Sequence, residues 1–301
     1  MQDIEEIRER RDNIEAIEPI VTSMRTVSAG GWRQALQRRD ASVAFCEYAE
    51  WVLSVTAPHV PARVLELVGI RRQLQPARRP VLLVISSQRG LCGAYNDVVA
   101  RGADQLITSQ AVQSDQVLIA ALGSRAAAQL RRMGRQIDIE WALPTSRVAT
   151  MDLVNGIASE LREEISEGNA DAVYVIYSPY RVGAIAPPVS ERWLPVDQSM
   201  LPVVPVDRPE VILEGDAGLL FERTLSEWTN ARLYQMTIDA AASEQAARYR
   251  AMDMASTNLA RIIQELTLQY HSARQHAITM EMLDLAAGAE GTRGRAVEPD
   301  A

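Results

Sequence analysis

The chain contains no lysine: its 31 basic residues are all arginine. That absence excludes Schiff-base chemistry, a lysine general base and the lysine of a Walker-type phosphate loop. Histidine is scarce as well. His59, His271 and His276 are the only three, and His271 and His276, five apart, are poorly spaced for a shared metal on one helix face. The two cysteines, Cys46 and Cys92, lie in different segments without zinc-type spacing, so neither a metal site nor a disulfide framework is expected, and a reducing compartment is the simpler reading. With no histidine near Cys92, a Cys-His catalytic pair is not expected either. Aromatic residues are only 5% of the 301, which disfavours an aromatic-filled barrel or sandwich. No apolar run approaches the roughly 18 residues needed to cross a bilayer, and no signal-peptide core follows the first methionine. A soluble or peripheral protein on the cytoplasmic side is therefore expected. The net charge of -8 argues against general nucleic-acid binding, and the arginines of the first forty residues read as a solvated helix face.

What the chain does have is helix-forming sequence at both ends. Ile7, Ile14, Ile17, Val21 and Met24 recur at spacings of seven, three, four and three, a narrow apolar seam. The pattern continues toward Pro58 and Pro61 and predicts an N-terminal coiled-coil helix within residues 1–60, kinked or broken near Pro19 and near Gly30 and Gly31. Near the other end, Leu219 to Ala287 is 69 residues without glycine or proline, enough for a helix about 100 Å long. Met252, Leu259, Leu266, Ala273 and Met280 recur every seven residues there, with Ile263, Tyr270 and Ala277 on the adjacent row. The expectation is a C-terminal coiled-coil helix over 209–288, paired antiparallel with the first, and a loose tail over 289–301.

Between the rods the character changes. The short apolar runs "VLLVI", "VLIAAL", "IDIEW" and "AVYVIY" alternate with helix-like stretches such as "GSRAAAQLRRMG" and "MDLVNGIASELREEI". Alternating strands and helices predict a mainly parallel, doubly wound sheet within residues 78–206, and "IAPPVSERWLPV" suits an edge strand with Val189, Glu191 and Trp193 on one face. The fold class expected is therefore α/β: an antiparallel coiled coil of the two ends with an inserted doubly wound, Rossmann-like domain.

One loop invites a chemical reading. "SSQRGLCGAYN", residues 86 to 96, places two glycines where a strand hands over to a helix, as anion sites do. Yet Gly90 and Gly93 are only three apart and fit neither common phosphate-loop pattern, so a structural turn and a phosphate site both stand as readings. Methionines along the seams are open to two readings as well: gap fillers between helices, or adaptable side chains at a rod tip that slide against a partner.

Three stretches together resemble the gamma subunit of the F-type ATP synthase, the rotor's central shaft. They are "IRERRDNIEAIEPIVTSMRTVSA", "SSQRGLCGAYN", and the long C-terminal stretch that opens "ASEQAARYRAMDMASTNLARII". Weaker likenesses occur at "GSRAAAQLRRMG" and "ERWLPV". The resemblance implies a coiled coil threaded through a ring of alpha and beta subunits, an α/β foot that contacts the epsilon subunit and the c-ring, and a position at the cytoplasmic face of a bacterial plasma membrane. It implies a subunit with no catalytic residue, no cofactor and no metal of its own, which couples proton flow to ATP synthesis. By the same resemblance, Met24, Arg248, Arg274, Gln275 and Thr279 match rotor–stator coupling positions, and Gly90, Leu91, Cys92 and Gly93 match a structural loop of the foot. The sequence departs from the family at Pro19, at Gly30 with Gly31, at Trp32 and at Gln88, where the family carries an acid. The alternative from another class is a stand-alone α/β ligand-binding or regulatory protein that dimerises through its coiled coil.

Overall fold

The computed structural model describes residues 2–61, 63, 65, 70–71, 77–108, 117–144, 148–197 and 212–295. In chain order its elements are α1 (Gln2–Thr56), β1 (Ile70–Arg71), β2 (Pro80–Ile85), α2 (Tyr95–Thr108), β3 (Leu118–Leu122), α3 (Ser124–Arg132) and β4 (Ile139–Trp141). There follow α4 (Met151–Ser166), β5 (Ala172–Tyr177), β6 (Tyr180–Arg181), β7 (Ala184–Ile185), β8 (Val189–Leu194), β9 (Val196–Asp197) and α5 (Ala217–Arg295). The chain divides into two compact units, one of Val27–Ala251 and one of Met1–Thr26 with Met252–Ala301.

In the unit of Val27–Ala251, the run "PVLLVI" is buried along its whole length, so it takes the centre of a sheet covered on both sides. The order is β4-β3-β2-β5-β8; the first four strands are parallel, and β8 pairs antiparallel with β5 at the edge. Alternation sorts the core into two layers. Val81, Leu83 and Ile85 pack with Val154, Ile157 and Leu161 of α4 and with Leu233 and Met236 of α5. Leu82 and Val84 face the other way, onto Tyr95, Val99 and Ala100 of α2 and Ala126 and Leu130 of α3. Helices on both faces make this the doubly wound arrangement that the strand–helix alternation predicts. The edge strand is also as expected, with Trp193 buried and Val189 packed against the same layer.

Within the same unit α1 lies against α5. Ala35 meets Ile238 and Ala242, and Cys46, Ala49 and Leu53 meet Phe221, Leu225, Trp228 and Ala231. The small parallel pair of β1 and β9 adds Ile70 and Val196 to the second of these clusters.

The other unit is a helix pair. Arg25 Nη1 lies 3.1 Å from Asp253 Oδ1, and the Arg11 guanidinium sits over the Tyr270 ring, 5.4 Å from its centre. Residue numbers fall along one helix as they rise along the other, so the pair is antiparallel. On α5 the seam is Met252, Leu259, Ile263, Leu266, Tyr270, Ala273 and Ala277, all buried or half-buried. On α1 it is Ile7, Ile14, Val21 and Met24, each half-buried.

Four expectations need correction. Of the expected kink or break, the break is absent: α1 runs as one helix through Pro19 and Gly30–Gly31. Pro19 is on an exposed face, where water can serve the carbonyl that the missing N–H leaves free. Ile17 and Met280, read as seam residues, are 47% and 46% exposed. Counted from the Arg11–Tyr270 contact, Met280 lies opposite the start of the described α1, where its side chain is left exposed. Finally, α5 continues to Arg295, into the expected tail, because Ala286, Ala287, Ala289 and Glu290 are good helix formers that carry it past Gly288. At its start Asp216 caps it, Oδ1 accepting from Gly218 N at 2.7 Å and Leu219 N at 3.1 Å. Residues 198–206, 209–211 and 296–301 of the expected segments lie outside the described residues.

Candidate functional site

Strand β2 ends where the sheet reverses its winding: β3 and β4 lie on one side of it and β5 on the other. Doubly wound folds hold ligands in the crevice at that point, against free N–H groups of a glycine loop and a helix start. Here the loop 86–94 occupies the place, and several of its polar groups are bonded to the neighbouring helix start. Ser86 Oγ accepts from Ala126 N at 3.1 Å and donates to Gly123 O at 3.0 Å, while Ser87 O accepts from Arg125 N at 3.1 Å. The first turn of α3 is thus bonded to the loop. Gly123 has φ +93°, and a Cβ there would stand 2.5 Å from Ser86 O, so no larger residue can make this crossing.

From α5 the Arg248 side chain enters the same crevice. Its Nη2 donates to Arg89 O at 3.0 Å and Gly90 O at 3.3 Å, and its Nη1 pairs with Glu244 Oε1 at 2.5 Å. Both side chains are about nine-tenths buried. Burial pushes the Glu244 carboxyl up, and the neighbouring Arg248 opposes the shift. The loop therefore turns carbonyl oxygens toward a guanidinium already neutralised by a carboxylate. A phosphate would meet acceptors where it needs donors.

Deeper in the loop, Asn96 Nδ2 donates to Ser87 Oγ at 2.8 Å and to Cys92 Sγ at 3.1 Å, and Ser87 N donates to Asn96 Oδ1 at 3.1 Å. The Cys92 thiol is 1% exposed and pushed up by burial, the opposite of what a nucleophile needs. Tyr95 OH reaches Ala240 O of α5 at 3.2 Å. Leu91 and Gly93 have φ of +65° and +60°, and Leu91 points its side chain outward, 60% exposed. Gly90 has no positive φ. Gln88, the departure in this loop, uses both ends of its amide: Oε1 accepts from Leu143 N at 3.0 Å and Nε2 donates to Ser124 Oγ at 3.4 Å. A carboxylate could keep the first of these bonds, but the second only if Ser124 turned its hydroxyl proton away from Gln88 O.

Arg248 is thereby brought onto the loop of Gly90, Leu91, Cys92 and Gly93. Met24, Arg274, Gln275 and Thr279 belong to the helix-pair unit. Arg274, Gln275 and Thr279 are exposed on α5, with Thr279 Oγ1 donating to Gln275 O at 2.8 Å. Ile278 among them and Met282, Leu283 and Leu285 after them are also exposed, an apolar stretch past Ala277 of the seam. Sequence reasoning missed Glu244, Ser87 and Asn96. The last two stand inside the quoted motif, and their small polar side chains next to a buried cysteine were the available signal. Among the described residues no group of three histidine, cysteine or carboxylate side chains is placed to hold a metal, and no helix is long and apolar enough to cross a membrane.

Comparison with known proteins gives a consistent result. Residues 3–291 match the model of the family described as ATP synthase. The ATP synthase gamma chain of Synechococcus elongatus is 28% identical over 98% of this chain and 100% of its own length, and that of Sorangium cellulosum is 25% identical over 97% and 100%. Among solved structures, a chain of the Euglena gracilis mitochondrial ATP synthase (OSCP/F1/c-ring) superposes with a TM-score of 0.68 at 15% identity, covering 99% of this chain and 97% of that one. A chain of the Tetrahymena thermophila central stalk and c-ring gives 0.55 at 17% identity, over 79% and 99%. These two share the fold. With the family match running from residue 3 to residue 291, the chain belongs to the ATP synthase family.

Proposed function

We propose that this chain is the gamma subunit of a proton-translocating ATP synthase, the central shaft that couples turning of a c-ring to the cycling of catalytic sites on beta subunits. The observation that supports this best is the end of α5. Toward its end the helix carries an exposed polar group, Arg274, Gln275 and Thr279, with Ile278 exposed among them and Met282, Leu283 and Leu285 exposed after them. Such a surface suits contact with encircling partners, and Met side chains adapt to partners that change shape.

In this reading the shaft performs no chemistry. ATP is bound by alpha and beta subunits, and the shaft selects among their conformations by presenting a different face to each, so that every beta subunit is biased toward the state it touches most favourably. Met24, Arg274, Gln275 and Thr279 make those contacts. Arg248 contributes through the loop it holds, with Gly90, Leu91, Cys92 and Gly93 giving that loop its shape. The α/β unit is the foot, in contact with an epsilon subunit and the c-ring. The whole complex sits at the cytoplasmic face of a bacterial plasma membrane, and this chain is peripheral to it.

The test is reconstitution. Expression with matching alpha and beta subunits is expected to give a complex that contains this chain and hydrolyses ATP, while nucleotide titration of the chain alone gives no stoichiometric binding. Exclusion of this chain from the complex, or tight ATP binding by the chain alone, would overturn the proposal.

A further inference from the structure

We infer that Asp239 is the pin that fixes the helices to the α/β fold, so that torque passes between them without slip. The carboxylate of Asp239, only 8% exposed, joins three elements at once. Its Oδ1 accepts from Arg39 Nε of α1 at 2.7 Å, its Oδ2 accepts from Tyr180 N of β6 at 3.2 Å, and its backbone belongs to α5. Beside it lies a polar cavity lined by Arg39, Tyr177, Glu191, Arg232 and Gln235. A second charged link stands in the same cavity: Arg232 Nη2 of α5 meets Glu191 Oε2 of edge strand β8 at 3.1 Å, and Tyr177 OH donates to Glu191 Oε1 at 2.7 Å.

The physical need for such a pin follows from what surrounds it. Helix α5 rests on the sheet through Leu233, Met236 and Ala240, and α1 rests on α5 through Ala35, Ile238 and Ala242. Apolar contact resists separation strongly but is non-directional. In the stretch around Asp239 the contact between α1 and α5 is made with Ala35 and Ala242 beside Ile238, and alanines offer little to stop one helix from turning or sliding against its neighbour. An ion pair in a partly buried site has the opposite balance: it adds little net stability, because desolvation offsets attraction, and its best-attested use is to fix register. Asp239 holds α1 by charge and the β6–β7 hairpin of the α/β fold by its bond from Tyr180 N, so neither helix can turn without breaking a bond at one carboxylate. Asp239 is therefore a positioning residue for energy coupling, an assignment that rests on the proposed function above.

The experiment compares wild type with Asp239→Asn, Arg39→Gln and the double variant Arg39→Met/Asp239→Asn in membrane vesicles carrying the whole synthase. ATP hydrolysis and ATP-driven proton pumping are measured on the same vesicles, beside thermal unfolding of each full-length chain alone. A register pin predicts that both single variants lower the ratio of pumping to hydrolysis, and that the double variant is no worse than the poorer single one. It also predicts that the double variant regains thermal stability without regaining the ratio. A ratio unchanged in the single variants, or restored in step with stability in the double variant, overturns the inference. Amide hydrogen exchange on the isolated chain tests the geometry without the synthase: Tyr180 N–H exchanges faster in Asp239→Ala but not in Asp239→Asn. Equal exchange in both contradicts the pin. Should wild type fail to enter the synthase, the functional reading falls and this inference with it, whereas a normal synthase with unaltered variants removes the pin alone.

Discussion

The single helix α5 lives in two environments. Between Ala231 and Ala247 it is packed on several sides, with Ala231, Leu233, Met236, Ile238, Ala240, Ala242, Ala246 and Ala247 all buried. From Met252 to Ala287 only Met252 and Leu266 are buried, and the other apolar positions there are half-covered by one neighbour or left open. Helix propensity is similar along both stretches, so the contrast teaches that the α/β unit grips the helix while the helix pair displays it. Gripping uses small residues, which let a sheet and a second helix approach closely. Displaying uses a one-sided seam, which leaves most of the circumference for partners.

The largest difference between the two environments is expected at Trp228. This residue is 1% exposed and donates from Nε1 to Glu50 Oε1 at 3.1 Å, so Trp228→Ala should cost about 3–5 kcal/mol in urea unfolding followed by circular dichroism. A loss no larger than that of a seam substitution would erase the contrast. Leu266→Ala, in the one-sided seam, should cost about 2 kcal/mol, the low end for buried leucine, because neighbours there can collapse toward the gap.

Alkaline titration sharpens the gripped side. Burial, helped by Glu50, pushes the Cys46 thiol from 9.0 up to about 11. The unfolded chain then loses its proton first, so the thiol's contribution is fully present below 9.0 and is lost as pH rises through about 11. Cys46→Ala should flatten that limb of a stability–pH profile, and an unchanged slope would show that the thiol does not titrate in this way. Gly30→Ala should stabilise α1 by about 0.5–1 kcal/mol in thermal unfolding, since a Cβ there meets nothing within 4 Å. Gly31→Ala should gain less, because its Cβ would stand 3.1 Å from Gln245 Oε1. The smallest effect belongs to the displayed end. Met282→Ser, at a position 67% exposed, should leave the unfolding of the isolated chain unchanged while weakening assembly with alpha and beta subunits.

Much of the architecture was legible because it rests on periodicity. Heptads announced the helix pair, and runs such as "VLLVI" announced a sheet buried on both faces. Local pattern did not reveal what ended or continued an element: Pro19 looked like a break, but solvent exposure makes it tolerable, and Met280 kept the heptad although its side chain is exposed. The site was less legible still. Arg248 binds carbonyls 158 and 159 residues away, and Arg39 finds Asp239 200 residues away. Such pairs carry no spacing signal, since the topology alone brings them together. The glycine loop resembled an anion cradle for a sound reason, because strand, turn and helix start recur in every doubly wound sheet. What decides its chemistry is the direction of Arg89 O and Gly90 O, and a sequence does not state it.

The central claim is that a gripped foot turns a displayed shaft. Its most direct test is single-molecule rotation: a bead attached to the α/β unit, in a complex of this chain with alpha and beta subunits fixed to a surface, observed on addition of ATP. Sustained rotation in one direction that stops when ATP is removed is expected. A complex that hydrolyses ATP at full rate while the bead stays still would contradict the claim.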